Sequence, residues 1–394
     1  MTTAATTRPT IPPARFGERI GAARRLAAEA GLDALLVGVG PDLDYLAGYR
    51  AMPLERLTML VVPASGPTTL VAPRLEAAPA RLSPALAGGF VEIVTWEETD
   101  DPVALVERLV VAALGRPASS LVRLGISDRL WAMHVLRIAD RFPSARLESA
   151  GSVLGQLRMI KDADEIGLLR LAAEAADRVV EQIAAGPLVG RTEADVAHEV
   201  RERLLAEGHE LAEFSIVGSG PNSASPHHET SDRVIRAGEP IVLDIGGTLG
   251  GYGSDITRTL WVTGGDPANA PDEAFLHLFA VLRAAHSRAT AAVRPGVACE
   301  RIDATARAII DAEGYGEQFI HRTGHGIGLE GHEEPYLVAG NSESLRAGMA
   351  FSVEPGIYFE GRYGARLEDI VVCGADGPIV LNRAPLDLYV VDGV

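Results

Sequence analysis

The sequence predicts an α/β (α+β) protein built from two domains. Its 394 residues are more than one hydrophobic core usually organises. A hydrophobic share of 47% beside 23% charged residues is typical of a globular chain. Short apolar runs that suit buried strands alternate with longer stretches whose apolar residues recur every three or four positions, as helices require. We therefore expect one domain over residues 14–152 and a second over residues 157–394.

The first domain is expected to alternate helices with buried strands. A helical pattern over residues 22–30 ends at Gly31, and an apolar strand over residues 33–38 follows it. Glycine and proline separate the later segments, which we predict to be strands at 59–62, 69–71 and 91–94 and helices at 102–113 and 127–140. The first histidine of the whole chain is His134, and no catalytic grouping stands out in this half.

The second domain is expected to begin with two long helices. Apolar spacing predicts the first over residues 164–185, and Gly186 with Pro187 ends it. Thr192 and Asp195 resemble a capping box, which opens the next helix. This helix runs to residue 207, and two further helices are predicted at 272–293 and 298–313, with strands between them.

The charge of the chain argues against several classes of partner. A net charge of -17 and a pI near 5.1 disfavour nucleic acids and anionic membranes, because a negative surface repels phosphates. We see no run of 18 apolar residues and no export signal, so we expect a cytoplasmic protein. The two cysteines, Cys299 and Cys373, are isolated and are expected to be buried, inert thiols.

A glycine-rich hairpin carries the first two candidate site residues. Apolar strands on either side of residues 247–253 contain Asp244 and Asp255. If the turn is centred between Leu249 and Gly250, the two aspartates lie directly opposite each other, with β-carbons roughly 5 Å apart. Ionised carboxylates that close repel unless a cation lies between them or one keeps its proton. An aspartate within an apolar strand therefore suggests a bound cation.

A second hairpin repeats this arrangement with two glutamates. The strand over residues 350–358 contains Glu354, and the strand over residues 365–372 contains Glu368. A turn centred on Gly361 places these glutamates opposite each other on one face. We therefore expect four carboxylates from two hairpins to converge.

Two histidine-bearing segments accompany the carboxylates. His325 and His332 lie in a glycine-rich stretch between the hairpins, where little covers an imidazole. His227 lies in a polar loop over residues 218–228, of the kind that often carries function. One imidazole with four carboxylates suits Mn²⁺, or Co²⁺, Zn²⁺ or Fe²⁺. Two such ions roughly 3.5–4 Å apart activate water and polarise a carbonyl, so we expect hydrolysis.

From about Leu157 onward, these motifs resemble the pita-bread metallopeptidases, a group that includes prolidases, aminopeptidase P and methionine aminopeptidases. The resemblance implies that two divalent ions are held by Asp244, Asp255, His325, Glu354 and Glu368. In it, Asp255 and Glu368 bridge the ions, Asp244 holds one, and His325 with Glu354 holds the other. Glu354 also relays a proton as a catalytic residue, His227 and His332 contact substrate and support catalysis, and Arg366 contacts substrate or supports the bridging glutamate.

The segment over residues 42–49 resembles part of the creatinase-type N-terminal domain of prolidases and aminopeptidase P. The resemblance implies that this domain precedes a pita-bread catalytic domain, that the protein forms a homodimer, and that its substrates are short proline-containing peptides. We expect an Xaa-Pro dipeptidase that releases C-terminal proline, whose carboxylate needs a cation such as Arg366, Arg50 or Arg56. The alternatives are an aminopeptidase P acting on longer peptides, a metal-free creatinase-like hydrolase and a non-catalytic binding module.

Overall fold

The computed structural model describes Thr10–Val394, and this part of the chain forms two units, Thr10–Arg158 and Met159–Val394. The first unit is built around a six-stranded mixed sheet in the order β4-β3-β2-β1-β5-β6. Its strands are β1 Ala34–Gly38, β2 Met59–Pro63, β3 Thr69–Pro73, β4 Glu92–Trp96, β5 Arg123–Ile126 and β6 Arg146–Ser149. Its helices are α1 Pro13–Glu29, α2 Pro41–Ala47, α3 Ala77–Arg81, α4 Pro84–Ala87, α5 Pro102–Leu114, α6 Ala132–Arg141 and α7 Gly151–Met159, which ends at the first residue of the second unit.

The sequence patterns predicted most elements of the first unit correctly, but the predicted first residues of two helices were wrong. The helix predicted at 22–30 begins at Pro13, where proline suits the first helical turn because its missing N–H has no partner there. The helix predicted at 127–140 begins at Ala132. The strands β5 and β6 escaped prediction because they are only four residues long and contain arginine. The buried strand β1 lies between β2 and β5, pairing antiparallel with the former and parallel with the latter.

The second unit contains two larger sheets and four helices. One sheet has the order β17-β9-β8-β7, the other has the order β11-β10-β12-β15-β16, and β13 pairs with β14 alone. The helices are α8 Ala163–Ala184, α9 Glu193–Ala206, α10 Glu273–Ala292 and α11 Cys299–Ala312. The strands are β7 Leu211–Ser219, β8 Glu239–Leu249, β9 Tyr252–Val262, β10 Gly324–Gly326, β11 Glu333–Leu337, β12 Ala350–Val353, β13 Gly356–Phe359, β14 Tyr363–Arg366, β15 Asp369–Cys373, β16 Pro378–Val380 and β17 Tyr389–Val391.

Each large sheet of the second unit is covered by a helix pair. Apolar side chains of α8 and α9 pack against the strands β7 to β9 in one core, and those of α10 and α11 pack against β11 to β15 in another. The predicted capping box of α9 is confirmed, because Thr192 and Asp195 bond reciprocally. Cys299 and Cys373 are buried, free thiols, as predicted. Within Thr10–Val394, no helix combines the length and the apolar composition that crossing a membrane requires.

Candidate active site

The hairpin of β8 and β9 presents two carboxylates on one face. Gly250 and Gly251 form its two-residue turn with φ values of 61° and 85°, which residues with side chains rarely adopt. Asp244 consequently lies opposite Thr257, two residues away from Asp255. The predicted direct pairing of the aspartates is therefore wrong by two residues, because the turn is centred on the glycine pair. A shift of two residues preserves the face, so the aspartates remain diagonal neighbours.

The second hairpin keeps the predicted register but is interrupted at its two glutamates. The pairs β12–β15 and β13–β14 share one register, and Glu354 and Glu368 lie between them. Pro355 has no N–H to continue the ladder at this point. Instead, the amide of Glu354 donates to the carbonyl of Thr323 at 2.8 Å, and that of Glu368 donates to the carbonyl of Thr257 at 3.1 Å. The backbone amides of Glu354 and Glu368 therefore bond to other segments instead of to each other.

The structure brings the five predicted metal ligands together. Ligand atoms of Asp255, His325 and Glu368 all lie within 4.8 Å of one another, and the three residues are buried. His325 Nε2 lies 3.2 Å from an oxygen of Glu354 and 3.6 Å from an oxygen of Asp255. Asp244 is close enough for its charge to raise the pKa of Asp255. Two sheets and an interrupted hairpin therefore direct these side chains into one place.

The backbone fixes which nitrogen of His325 faces the carboxylates. Its Nδ1–H donates to the carbonyl of Gly326 at 3.1 Å, because a carbonyl can only accept. Nε2 therefore faces the carboxylates, where it donates to Glu354 when the ring is protonated and offers a lone pair to a metal ion when it is not. Ser352 accepts a hydrogen bond from the His325 amide and donates its hydroxyl to Glu354, both at 3.1 Å. One hydroxyl therefore links two of the predicted ligands.

Burial, followed by the mutual repulsion of the carboxylates, has the largest effect on the pKa values of this cluster. Burial raises the pKa of Asp255 and Glu368 well above the ordinary range, and the charges of neighbouring carboxylates raise both further. Burial also raises the pKa of Asp244, against the charge of Arg366. Glu354 differs, because its hydrogen bond and attraction to His325 outweigh burial and lower its pKa to about 2. Without cations, this cluster would therefore hold protons at neutral pH.

This donor set fits divalent cations. Asp244 Oδ1 is buried and has no hydrogen-bond partner within the described residues 10–394, although its other oxygen accepts from Arg366 at 2.6 Å. An orphaned buried carboxylate oxygen is costly, and a cation in contact with it would remove that cost. A set of carboxylate oxygens with one imidazole suits ions of the Mn²⁺ to Zn²⁺ series.

Arg366 organises a buried hydrogen-bond network around Asp244. Its Nε donates to the hydroxyl of Thr257 at 3.0 Å, one terminal nitrogen donates to Tyr358 Oη at 2.9 Å, and the other donates to Asp244. His321 Nδ1–H donates to a backbone carbonyl, so its Nε2 accepts from Tyr358 at 2.9 Å. Each guanidinium nitrogen already has an acceptor inside the protein. Arg366 therefore acts on Asp244 more directly than on a substrate.

The imidazole of His332 packs against the predicted metal-binding imidazole at an interplanar angle of 41°. Its ring centroid is 3.8 Å from that of His325. Partial burial lowers the pKa of His332, and the charges of His325 and Arg322 lower it further, to about 4. A terminal nitrogen of Arg322 donates to His332 Nδ1 at 3.4 Å, and the guanidinium stacks on Tyr336 at 4.2 Å. At neutral pH, His332 is therefore uncharged, with its proton on Nε2.

The loop that carries His227 is tied to helix α9. After β7, a short helical turn, Gly220–Ala224, leads to His227, which is exposed. The next residue, His228, donates from Nε2 to the buried carboxylate of Glu193 at 2.8 Å. A proton on His227 would lower the pKa of His332, so the two histidines lie within range of each other's charge.

Sequence reasoning missed four residues of this site. His321, Tyr358, Arg322 and Glu193 contact predicted site residues or their loops. His321 precedes His325 by four residues in the same segment, and this spacing was the available signal. Tyr358 and Glu193 gave none, because a tyrosine in a strand and a glutamate at a helix start are ordinary features.

Family comparisons agree with both halves of the chain. Residues 167–375 match the model of metallopeptidase family M24, and residues 19–160 match that of the creatinase/prolidase N-terminal domain. A probable dipeptidase PepE of Mycobacterium tuberculosis is 46% identical over 377 residues, which cover 95% of this chain and 96% of the relative.

Two crystal structures are similar over nearly the whole chain. The dipeptidase PepE of Mycobacterium ulcerans has a TM-score of 0.89 and 45% identity, and the match covers 97% of this chain and 99% of that one. A prolidase of Thermococcus sibiricus has a TM-score of 0.85 and 35% identity, and the match covers 95% of this chain and 99% of that one.

Proposed function

Because this chain belongs to metallopeptidase family M24, we propose that it is a dinuclear-metal dipeptidase that cleaves Xaa-Pro dipeptides and releases C-terminal proline. It is a peptidase with a creatinase-type N-terminal domain and a pita-bread catalytic domain. The family implies divalent metal ions, and relatives named dipeptidase and prolidase imply peptide substrates. The observation that carries the finer proposal is the cluster of three buried carboxylates, the partly buried Glu354 and the buried His325.

We assign the metal-binding roles as the resemblance implies. Asp255 and Glu368 would be shared by two ions, Asp244 would complete one site, and His325 with Glu354 would complete the other. When bound, such ions polarise the scissile carbonyl and make water more acidic. Mn²⁺ is the proposed ion, and Co²⁺, Zn²⁺ and Fe²⁺ suit the same donors.

Glu354 is the proposed proton carrier. It lies beside the metal-binding His325, and its carboxylate takes a proton from the attacking water as the new C–O bond forms. It then gives that proton to the proline nitrogen as the C–N bond breaks, so that the amine leaves neutral. The network of Arg366, Tyr358 and Thr257 holds the neighbouring Asp244 and Glu368 in place.

His332 and His227 are the proposed donors to the substrate oxygen. The contact from Arg322 leaves the proton of His332 on Nε2, where it can be donated to the oxyanion as charge develops. His227 is exposed on its loop and lies near His332. Both roles require an imidazole N–H close to the scissile bond.

Arg322 is our candidate for the group that receives the proline carboxylate. Arg366 donates from all three guanidinium nitrogens within the protein. Arg50 pairs with Asp44, and Arg56 pairs with Glu55 and Glu98.

Arg322 differs, because among Thr10–Val394 no acidic side chain pairs with it. It is half-buried, stacks on Tyr336 and contacts His332. We therefore propose that Arg322, and not the expected Arg366, contacts the proline carboxylate. A guanidinium in this position would favour a free carboxylate at the second residue of the substrate.

The decisive experiment is a matched series of substrates on the Mn²⁺-loaded protein. Cleavage of Xaa-Pro dipeptides in preference to Xaa-Pro-Xaa tripeptides would support the proposal. Faster cleavage of tripeptides would establish the aminopeptidase P alternative, and no cleavage by a fully metal-loaded protein would favour a binding module. The expected homodimer stays a proposal that sedimentation can test.

A further inference from the structure

The side chain of Glu193 is fully buried at the first residue of α9. Within Thr10–Val394, every hydrogen bond that its carboxylate accepts comes from the segment 218–231, which carries His227. Ser219 donates its amide and hydroxyl at 2.8 and 2.7 Å, and Ser231 donates its amide and hydroxyl at 3.2 and 2.7 Å. Asn222 Nδ2 lies 3.0 and 3.1 Å from the two oxygens, and His228 donates at 2.8 Å.

An ionised carboxylate is the side chain that this arrangement requires. Burial alone would raise the pKa of Glu193, but the hydrogen bonds from Ser231, Ser219 and His228 outweigh it and lower the pKa to about 2. Only donors face the two oxygens, so a carboxylic acid or an amide would direct a hydrogen at one of them. The negative charge of Glu193 therefore holds the loop in place, and the hydrogen-bond donors of the loop stabilise that charge.

The same loop has a second fixed point beside the active site. The Ser223 hydroxyl accepts from the amide of Gly364 in β14, two residues before Arg366. A β-carbon added at Gly364 would lie 2.5 Å from the carbonyl oxygen of Ser223, so the loop and the strand are in close contact. Ser223 is thus attached to Gly364 and Ser231 is attached to Glu193, and His227 lies on the segment between these two serines.

We propose that Glu193 is a positioning residue, whose carboxylate orders the segment 218–231 and thereby holds His227 at the substrate. This inference rests on the proposed function, because it assumes that His227 contacts the substrate. Glu193 itself touches no reacting atom. Its neighbour His228, held at 2.8 Å, fixes the backbone next to His227. Loss of the carboxylate should release the histidine without removing it.

A double-mutant cycle on the Mn²⁺-loaded enzyme tests this coupling. Glu193→Gln and His227→Ala are each expected to lower kcat/KM for an Xaa-Pro dipeptide by roughly 10- to 100-fold. The kcat/KM of the double variant should lie less than about threefold below that of His227→Ala alone. The reason is that Glu193→Gln cannot misplace a histidine that has already been removed. Full additivity of the two losses would overturn the proposal.

A matched buried carboxylate provides the control. Asp177 accepts from Asn382 at 3.0 Å and from the amide of Arg383 at 2.6 Å, so it secures a different segment. Asp177→Asn should combine additively with His227→Ala. If Glu193→Gln fails to fold, Ser231→Ala removes only one donor and enters the same cycle.

Hydrogen exchange separates this inference from the proposed function. Amides of residues 218–231 should exchange faster in Glu193→Gln than in the wild type, with no such change in Asp177→Asn. Unchanged exchange would refute the ordering role. A wild type that cleaves no Xaa-Pro dipeptide would refute the proposed function instead, and the exchange result would still decide whether Glu193 orders the loop.

Discussion

Thr257 and Glu368 join the two carboxylate-bearing hairpins of the active site. The Thr257 hydroxyl donates to Glu368 Oε2 at 2.7 Å, and the two residues also form an isolated antiparallel bridge. The same hydroxyl accepts from Arg366, which in turn donates to Asp244. One buried threonine therefore connects a proposed bridging ligand with the arginine that holds another ligand.

Replacement of Thr257 by valine should weaken metal binding. The substitution keeps the shape but leaves Glu368 and Arg366 each without one hydrogen-bond partner, at about 1–3 kcal/mol for a buried group. Mn²⁺ affinity measured by calorimetry should fall by roughly tenfold or more. Thr259→Val is the control, because Thr259 bonds only to the backbone of Arg366. Equal losses in both variants would contradict this role.

Removal of metal should abolish peptidase activity. The cluster of buried carboxylates predicts that a chelated, desalted preparation is inactive and regains activity with Mn²⁺, at up to two ions per chain by elemental analysis. Asp255→Asn should retain less metal, because a bridging oxygen is replaced by an amide. Full activity of a preparation without detectable metal would rule out the proposed hydrolysis.

His332→Ala should separate catalysis from metal binding. The variant removes a proposed donor to the oxyanion but no proposed ligand, so metal content and thermal unfolding should stay close to those of the wild type. The kcat should fall roughly 10²–10³-fold, as for other donors of this kind. A fully active variant would show that His332 does not stabilise the transition state.

Arg322→Gln should remove the preference for a free carboxylate. In the wild type, amidation of the dipeptide should lower kcat/KM by roughly 10- to 100-fold, because a charge-assisted hydrogen bond is lost. In the variant, the dipeptide and its amide should be cleaved at similar rates. Arg362→Gln is a matched control, since Arg362 also stacks on a tyrosine. An amidation penalty that persists in Arg322→Gln would point to another cation.

The low pKa of Glu193 predicts that the folded protein loses stability in acid. Its pKa is about 2 in the folded protein against 4.5 as the reference, so the folded state binds fewer protons between these values. Its contribution is complete above about pH 4.5 and is lost as the pH falls towards 2. Arg233 and, when protonated, His228 are the basic groups that face it. In urea titrations, Glu193→Gln should be less stable than the wild type by about 3 kcal/mol at pH 7. This gap should close near pH 2, and a constant gap would contradict the assignment.

Much of this fold was predictable because its signals are local. The capping box of α9 lies within four residues, and apolar periodicity located the four helices of the second unit to within one or two residues. Register was less predictable, since a glycine pair instead of Leu249 and Gly250 forms the turn of the first hairpin. The break in the second hairpin at Glu354 was also missed, because the strand-like residues around Pro355 masked it.

The local sequence is enough to identify which acidic side chains require a stabilising partner. Asp244 and Asp255 lie within apolar strands, and Glu354 and Glu368 directly adjoin such strands. An isolated charge is costly in these surroundings, and this cost is a property of the local sequence. Tertiary structure alone decided which partners meet that need. Arg366 reaches Asp244 across 122 positions of the chain, and its bonds to Asp244, Tyr358 and Thr257 exist only after separate hairpins have packed. The local sequence determines the free-energy cost of burying a charge, because it determines the apolar surroundings. The packed fold determines which partners come close enough to offset that cost.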